Sequence, residues 1–258
     1  MNFDTGGLQP EARAIAHQAA EVYCSHTGPH FVGLLAHGSA FKGGLIPNCS
    51  DLDLKLFLTA DAFGADGRLP LPLSLAIHAD LARIDPAPFH YIQCYAPPPF
   101  PSPADKGHSG PLPGTYCMLA GRMPLRETTA AESLQQARAY LDDFKPDPSD
   151  LAQKLLQHGG GVLERGVRYL CTEVWPLLYC LLVWRGRDPL TVWSLPKPQA
   201  IERWPADEEA GLAIRRFYRC AWRYYVEETT AERALELIES GMAFKRAAMT
   251  WYAGQQKD

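Results

Sequence analysis

The residues from Asp51 to Leu58 alternate between leucine and other side chains, which is the pattern of a β-strand with one buried face. Leucine occupies every second position from Leu52 onward. Asp51 precedes the first leucine, and Asp53, Lys55 and Phe57 stand between the leucines. Because successive side chains of a strand point to opposite faces, the two carboxylates share one face, about 6.6 Å apart along the chain. The pattern predicts a half-buried strand with a pair of acids on its open face.

A second apolar segment, Phe31 to Ala36, precedes this strand and leads to the small residues Gly38 and Ser39. Eleven residues separate Ser39 from Asp51, and the first of them favour a short helical turn over Ser39 to Lys42. A Gly-Ser turn can bring backbone N–H groups close to phosphate oxygens, and paired carboxylates bind divalent cations. The segment therefore predicts a strand, a phosphate-binding turn and a second strand that carries a cation-binding pair.

The remainder of the first half predicts a mixture of helices and strands. Apolar residues at helical spacing predict helices over Pro10 to Ser25 and Leu73 to Arg83. Two further strands are predicted, over Phe89 to Tyr95 and over Tyr116 to Ala120, the latter at a sheet edge. The proline-rich stretch between them, Ala96 to Pro113, predicts a loop.

From about Thr129 onward the pattern is helical. Helical segments are predicted over Ala130 to Phe144, Ser149 to Trp184, Asp207 to Glu228 and Thr230 to Tyr252, interrupted by prolines and by Gly159 to Gly161. The chain is thus expected to be α+β, with an N-terminal mixed-sheet domain over residues 1–128 and a C-terminal helical bundle over residues 129–258.

The arrangement of Gly38, Ser39, Asp51 and Asp53 resembles the signature of the DNA polymerase β-like nucleotidyltransferase superfamily. That signature is an apolar strand, Gly-Gly or Gly-Ser, roughly ten residues, and Asp-x-Asp on the next strand. A helical bundle after the α/β half is also found in the aminoglycoside nucleotidyltransferases. The segment from Leu177 to Trp204 is similar to theirs: an apolar helix, a Gly turn and a Lys shortly before a Trp-containing helix. The resemblance covers about a tenth of the chain in its core motif.

The resemblance implies a nucleotidyltransferase that moves AMP from ATP, or another nucleoside monophosphate from its triphosphate, to a hydroxyl of a small-molecule acceptor. Asp51 and Asp53 would bind two Mg²⁺ ions, which steady the attacking and leaving oxygens of an in-line displacement. The phosphates would be contacted by residues outside the acid pair: Gly38, Ser39, Ser50 and Lys197. His37 and Lys55 flank the acids, and each has a structural alternative as a core histidine or a charge-balancing lysine.

Superfamily members usually carry a third carboxylate on the strand beside Asp-x-Asp. The corresponding segment, Phe89 to Tyr95, contains no acid, and His90 or Ile92 is expected on the acid-bearing face. A histidine can accept a proton near neutral pH, so His90 is the predicted catalytic base. Other acids could supply the missing carboxylate, or could serve only in turns and on surfaces: Asp85, Glu164 and Glu173.

Two alternatives to small-molecule transfer stay open at this point. The missing carboxylate favours a nucleotide-binding relative that has lost catalysis. A nucleotidyltransferase that modifies a protein or a tRNA would share the same motif. Aromatic residues of the second half could line an acceptor pocket or form the bundle core; these are Trp175, Tyr179, Trp184, Trp193 and Trp204.

Charge and cysteine content indicate which partners and which cellular compartment to expect. Its formal net charge of −4 argues against a dedicated nucleic-acid binder, which would usually be basic. No run approaches the roughly eighteen apolar residues of a membrane span, and the N-terminus has no apolar signal region. The 7 cysteines include no C-x-x-C pair, which is typical of free, buried thiols in a reducing cytoplasm and not of a disulfide framework or a zinc site. A cytoplasmic protein is therefore predicted.

Overall fold

The computed structural model describes residues 2–98 and 110–256. These fall into two compact units, Met1–Thr129 and Ala130–Asp258, and the predicted boundary near residue 128 lies beside this division. Most of the proline-rich loop predicted over residues 96–113 lies outside the described residues. The chain is α+β, with a mixed sheet in the first unit and helices in the second.

The elements of the first unit follow the sequence pattern closely. Its helices and strands are α1 (Pro10–Thr27), β1 (Phe31–His37), α2 (Ser39–Lys42), β2 (Leu52–Leu58), α3 (Leu71–Leu81), β3 (Ile92–Tyr95) and β4 (Tyr116–Gly121). Strand β3 is shorter than predicted, because residues 89–91 precede the ladder.

The four strands form one mixed sheet in the order β3-β2-β1-β4. Strand β1 is antiparallel to both β2 and β4, whereas β2 and β3 are parallel. The predicted edge position of β4 is confirmed. The motif strands β1 and β2 lie in the centre of the sheet, where each is hydrogen-bonded on both sides.

One face of this sheet forms the hydrophobic core of the first unit with α1. The leucines of β2 at positions 52, 54, 56 and 58 are all buried, as the alternation predicts. The small side chains of α1, such as Ala12, Ala16 and Ala19, are fully buried in the same cluster. Because this face is filled by apolar side chains, the alternating residues Asp53 and Lys55 are left on the opposite face.

The second unit is helical throughout its regular structure. Its elements are α4 (Ala130–Asp143), α5 (Ser149–Lys154), α6 (Val162–Gly186), α7 (Pro189–Ser194), α8 (Lys197–Glu202), α9 (Glu209–Trp222) and α10 (Ala231–Gln255), with a π-helical turn after α9 (Arg223–Glu227). The helical segment predicted over Ser149 to Trp184 consists of two helices, α5 and α6, and the glycines predicted to interrupt it, Gly159 to Gly161, all adopt positive φ directly before α6. The short helix α7 was not predicted, whereas α8 lies just before Trp204, where the resemblance implies a helix.

Helix α6 is the only described helix that is long and apolar enough to cross a membrane. Its most apolar stretch is 67% buried inside the protein, which is also what the core helix of a soluble protein shows. Length and composition therefore do not separate the two cases, and the cytoplasmic location stays a prediction. All 7 cysteines are free thiols, but their predicted burial is only partly correct, because Cys24, Cys94 and Cys117 are half-buried.

Candidate functional site

The acid pair lies at the start of β2 on the face opposite the leucine core. Asp51 directly precedes the strand, Asp53 lies within it, and both are half-buried, whereas Leu52 and Leu54 between and after them are buried. The strand alternation thus holds the two carboxyl-bearing residues on one side of β2. At a half-buried position a carboxylate stays accessible to a cation, and water weakens the attraction between the two charges less than it does at the surface.

Gly38 brings the turn after β1 against the carboxylate of Asp53. Its φ of 66° lies in the left-handed region, and a Cβ atom at this position would overlap Oδ2 of Asp53. The ladder explains the proximity, because His37 and Asp53 are direct partners across β1 and β2. Only glycine adopts a positive φ readily and also leaves room for the Asp53 carboxylate. The Gly-Ser turn and the acid pair therefore form one structural unit.

The two serines of the motif are buried and make contacts within the site. The Ser39 hydroxyl donates to the backbone carbonyl of Asp51 at 3.5 Å, a long bond that links the turn to the start of β2. The Ser50 hydroxyl accepts a hydrogen bond from the backbone N–H of Ile46 at 3.0 Å. Ser50 therefore closes the turn that leads into the acid pair, and its predicted phosphate contact stays a prediction.

The strand register places four residues in a row across the sheet, which we call the acid row: Gln93, Asp53, His37 and Tyr116. The expectation that Ile92 could occupy the acid-bearing face is wrong in its register, whereas His90 lies outside the strand pairing and its role stays a prediction. Ile92 pairs with Leu52 and packs against the core, whereas Gln93 is the partner of Asp53. His90 precedes β3, where its backbone N–H donates to the Ser50 carbonyl at 2.9 Å. It thus lies at the acid-bearing end of β2 without belonging to the ladder.

Two lysines and a neutral histidine surround the acid pair. Burial, followed by the positive charges of Lys55 and Lys42, lowers the pKa of His37 to about 4. The imidazole is therefore neutral at pH 7, because protonation would add a third positive charge in a desolvated place. Burial of the Lys55 ammonium likewise lowers its pKa. Lys55 forms no ion pair with a described residue. Lys55 thus offers a partly desolvated positive charge on the face that carries Asp53.

Sequence reasoning missed three members of this neighbourhood. Lys42 stands one helical turn after Ser39, a spacing that could have suggested it as a phosphate contact. Gln93 and Tyr116 gave no such signal, because only the pairing of β3 and β4 with the central strands brings them into the acid row. The Tyr116 hydroxyl donates to Oε1 of Glu127 at 2.9 Å, which places a further carboxylate beside this row.

A third carboxylate is not assembled with the acid pair. Among residues 2–98 and 110–256, no three His, Cys, Asp or Glu side chains are grouped so that they could hold a metal ion. Asp85 accepts a hydrogen bond from the Ala87 backbone N–H at 3.0 Å, which is the turn role expected of an Asp before proline. In the second unit, Glu173 is paired with Lys245 at 2.7 Å.

The predicted contacts of the second unit have local partners there. Lys197 begins α8, and its ammonium lies 5.6 Å from the centre of the Trp175 ring. Tyr179 stacks on Trp193 at 5.1 Å, and Trp204 packs edge-on against Trp251 at 4.9 Å. Since Trp175, Tyr179 and Trp204 are buried, the bundle-core interpretation is favoured over an acceptor pocket for them.

A pH prediction follows from the environment of His37. Its folded pKa lies below the ordinary value near 6.5, so the unfolded chain binds the proton first as the pH falls. The stability present at neutral pH is expected to decline between pH 6.5 and pH 4, by up to about 3 kcal/mol from this group. Urea unfolding of the wild type and of His37→Asn over this range measures the difference in slope.

The exposed His78 on α3 provides the matched control. The variant His78→Asn should keep the pH dependence of the wild type, whereas His37→Asn should show a flatter dependence. An unchanged slope in His37→Asn would show that the imidazole is not desolvated as described.

The turn, the carboxylates and the lysines form a compact set of groups suited to a metal-bound anion. A scan of the chain against protein-family models matches no family, and a search of curated proteins finds no similar sequence. The functional argument therefore rests on the residues of the site.

Proposed function

We propose that the first unit binds a magnesium–nucleoside triphosphate, ATP in the first instance, and transfers its nucleoside monophosphate to a hydroxyl of a small-molecule acceptor. The observation that carries this proposal is the close approach of the Asp53 carboxylate to the glycine turn at Gly38. A cation held by that carboxylate would lie beside a stretch of backbone without a side chain. Phosphate oxygens that share the cation could then approach the backbone closely.

The donor set suits a magnesium ion that arrives with the nucleotide. Mg²⁺ is usually bound by one or two carboxylates together with substrate phosphates and water. Asp51 and Asp53 would supply these carboxylates, and the bound ion would polarise the phosphoryl oxygens as a Lewis acid. A second Mg²⁺ would need a further carboxylate ligand, and in the described part of the chain no third carboxylate is grouped with Asp51 and Asp53. The residues therefore support one ion better than two.

The cationic side chains would neutralise the phosphate groups. Lys55 and Lys42 both lie close enough to lower the pKa of His37, so both act on the same small region. Their charges would be compensated by a triphosphate, which also removes the cost of holding Lys55 partly desolvated. His37 remains uncharged and can accept or donate one hydrogen bond without adding to the positive field.

In the transfer itself, the acceptor oxygen forms a bond to the α-phosphorus while the bond from that phosphorus to the bridging oxygen breaks. Pyrophosphate leaves with the bonding electron pair, and the acceptor hydroxyl gives up its proton. His90 is the proposed proton acceptor, because its backbone is hydrogen-bonded to Ser50 beside the acid pair. Ser39 would keep the turn in place, and Lys197 stays a predicted triphosphate contact.

Pyrophosphate release tests this function directly. The purified protein is incubated with ATP, Mg²⁺ and a panel of hydroxylated acceptors that includes aminoglycosides, and released pyrophosphate is measured. Acceptor-dependent release that requires Mg²⁺ would support transfer. ATP binding by calorimetry without release over the panel would favour a nucleotide-binding relative, for which the ungrouped third carboxylate is the supporting observation. Absence of both binding and release would contradict the proposal.

A protein or tRNA acceptor remains the alternative for an active enzyme. Mass spectrometry of co-expressed proteins and of tRNA would detect the mass of an added AMP. If AMP is added to a protein or a tRNA and no pyrophosphate is released with the small-molecule panel, the acceptor is a macromolecule. The proposed transfer chemistry would then still hold.

The role of Lys55 gives a second prediction. We expect Lys55→Met to weaken Mg²⁺-dependent ATP binding about tenfold, because a charge-assisted contact to phosphate is lost. Folding stability should stay equal or rise, since the variant removes a partly desolvated charge that has no described ion-pair partner. Calorimetry and urea unfolding measure the two effects separately.

Arg83→Met is the control for this variant, because the Arg83 side chain is 79% exposed in the same unit. It makes the same change in net charge and should leave ATP affinity unchanged. If both variants weaken binding equally, the effect comes from the overall charge of the protein and Lys55 has no specific role.

A further inference from the structure

A cavity of about 240 Å³ lies within the second unit, between helices α5, α6 and α10. Its inner wall is apolar where Leu170 and Met242 line it, and both side chains are buried. Three lysines also line it, Lys145, Lys154 and Lys245. The cavity therefore combines a small apolar wall with a concentration of positive charge, which is an unusual lining for an ordinary packing defect.

The most informative group in this cavity is the ammonium of Lys245. The residue is only 3% exposed, and its Nζ donates to Oε2 of Glu173 at 2.7 Å. An ammonium has three donors, and this carboxylate oxygen is its hydrogen-bond acceptor among the described residues. The ammonium also lies 5.3 Å from the centre of the Phe144 ring, which stabilises the charge from one side. Because burying a charge is costly unless its hydrogen bonds are made, an acceptor inside the cavity would stabilise this ammonium further.

The exposed rim of the cavity adds positive charge that its acids do not cancel. Lys145 and Lys154 form no ion pair with a described side chain, and the Lys154 ammonium lies 5.4 Å from the centre of the Tyr169 ring. The rim carboxylate of Asp147 accepts hydrogen bonds from the N–H and hydroxyl of Ser149, which lower its pKa. Glu173 is already paired with Lys245. Among the described side chains that line the cavity, three ammonium groups thus face two carboxylates, one of which is paired with Lys245.

We infer that this cavity binds a small organic phosphate. The phosphate oxygens would accept hydrogen bonds from Lys245 at the inner end and from Lys154 and Lys145 at the rim. The carbon part of the ligand would lie against Leu170 and Met242. A phosphate fits better than a neutral ligand, because its charge compensates the unpaired lysines and its several oxygens accept from donors in different directions. The site uses no residue of the acid row and does not depend on the proposed transfer activity.

Calorimetric titration of the full chain with phenyl phosphate tests the inference, with inorganic phosphate and phenol as comparison ligands. We expect phenyl phosphate to bind more tightly than inorganic phosphate, and phenol not to bind measurably. Lys154→Met should weaken phenyl phosphate binding about tenfold, since it removes one charged contact at an exposed position. Because Lys154 lies on the rim, this variant should fold normally.

Lys245→Met probes the inner end of the cavity, combined with Glu173→Gln so that no unpaired carboxylate is left behind. We expect the double variant to lose phenyl phosphate binding by more than the rim variant does. Lys55→Met distinguishes this cavity from the acid row and should leave phenyl phosphate binding unchanged. No binding by the wild type, equal binding by Lys154→Met, or a loss confined to Lys55→Met would each overturn the inference.

Discussion

Asp53→Asn is expected to lower Mg²⁺-dependent ATP binding and pyrophosphate release at least about 100-fold, because it removes one of two charged cation ligands. Asparagine has nearly the same shape as aspartate, so the packing against the Gly38 turn is kept. The amide oxygen is a weaker ligand for a hard cation than a carboxylate oxygen. Loss of this negative charge also leaves Asp51 as the remaining carboxylate of the acid pair.

Calorimetry with ATP, with and without Mg²⁺, measures the binding part of this prediction. Asp61→Asn is the matched control, since Asp61 follows the same strand and its side chain is 72% exposed. It makes the same chemical change away from the acid row and should bind ATP as the wild type does. ATP affinity retained by Asp53→Asn would contradict the assignment of the cation to this carboxylate.

Gly38→Ala is expected to weaken Mg²⁺-dependent ATP binding at least about tenfold, with a moderate loss of stability. Gly38 has φ 66° and ψ −145°, a backbone conformation nearly confined to glycine, and adopting it costs a residue with a Cβ on the order of 1–3 kcal/mol. The added Cβ would also overlap Oδ2 of Asp53. Because that oxygen is the end of a side chain, the carboxylate can rotate away while the backbone stays in place. The fold should therefore survive, but the acid pair should lose its geometry.

Gly114→Ala separates these two contributions. Gly114 has a φ of 71°, and a Cβ there would meet no atom within 4 Å. The variant should show the conformational strain alone, with a similar loss of stability in urea and unchanged ATP affinity. If Gly114→Ala and Gly38→Ala affect ATP binding equally, then the contact between Gly38 and Asp53 has no functional role.

Local pattern predicted most of the first unit. The leucines of β2 identified both the strand and its buried face, because a period of two residues is a property of the strand itself. The bounds of α2, predicted as Ser39 to Lys42, are confirmed, since Gly43 with its positive φ ends the helix. In the second unit, the predicted interruption at Gly159 to Gly161 lies directly before α6, whose N-cap residue is Gly161.

Neighbours across the sheet could not be predicted in the same way. The absence of an acid from β3 was evident in the sequence, but the pairing of Gln93 with Asp53 was not. A shift of one residue in register exchanges the two faces of a strand, and the expected position of Ile92 was wrong for this reason. Register depends on hydrogen bonds between strands that are distant along the chain.

The sequence by itself determined the strand with its paired acids, the Gly-Ser turn and the change from a mixed sheet to helices. These features follow from the chemistry and spacing of residues that are close along the chain. Only the tertiary structure showed that Asp53 lies against Gly38, that His37 is desolvated beside two lysines, and that Lys245 is buried with Glu173. Burial and charge–charge proximity are set by residues from separate segments, so they emerge only when those segments pack together.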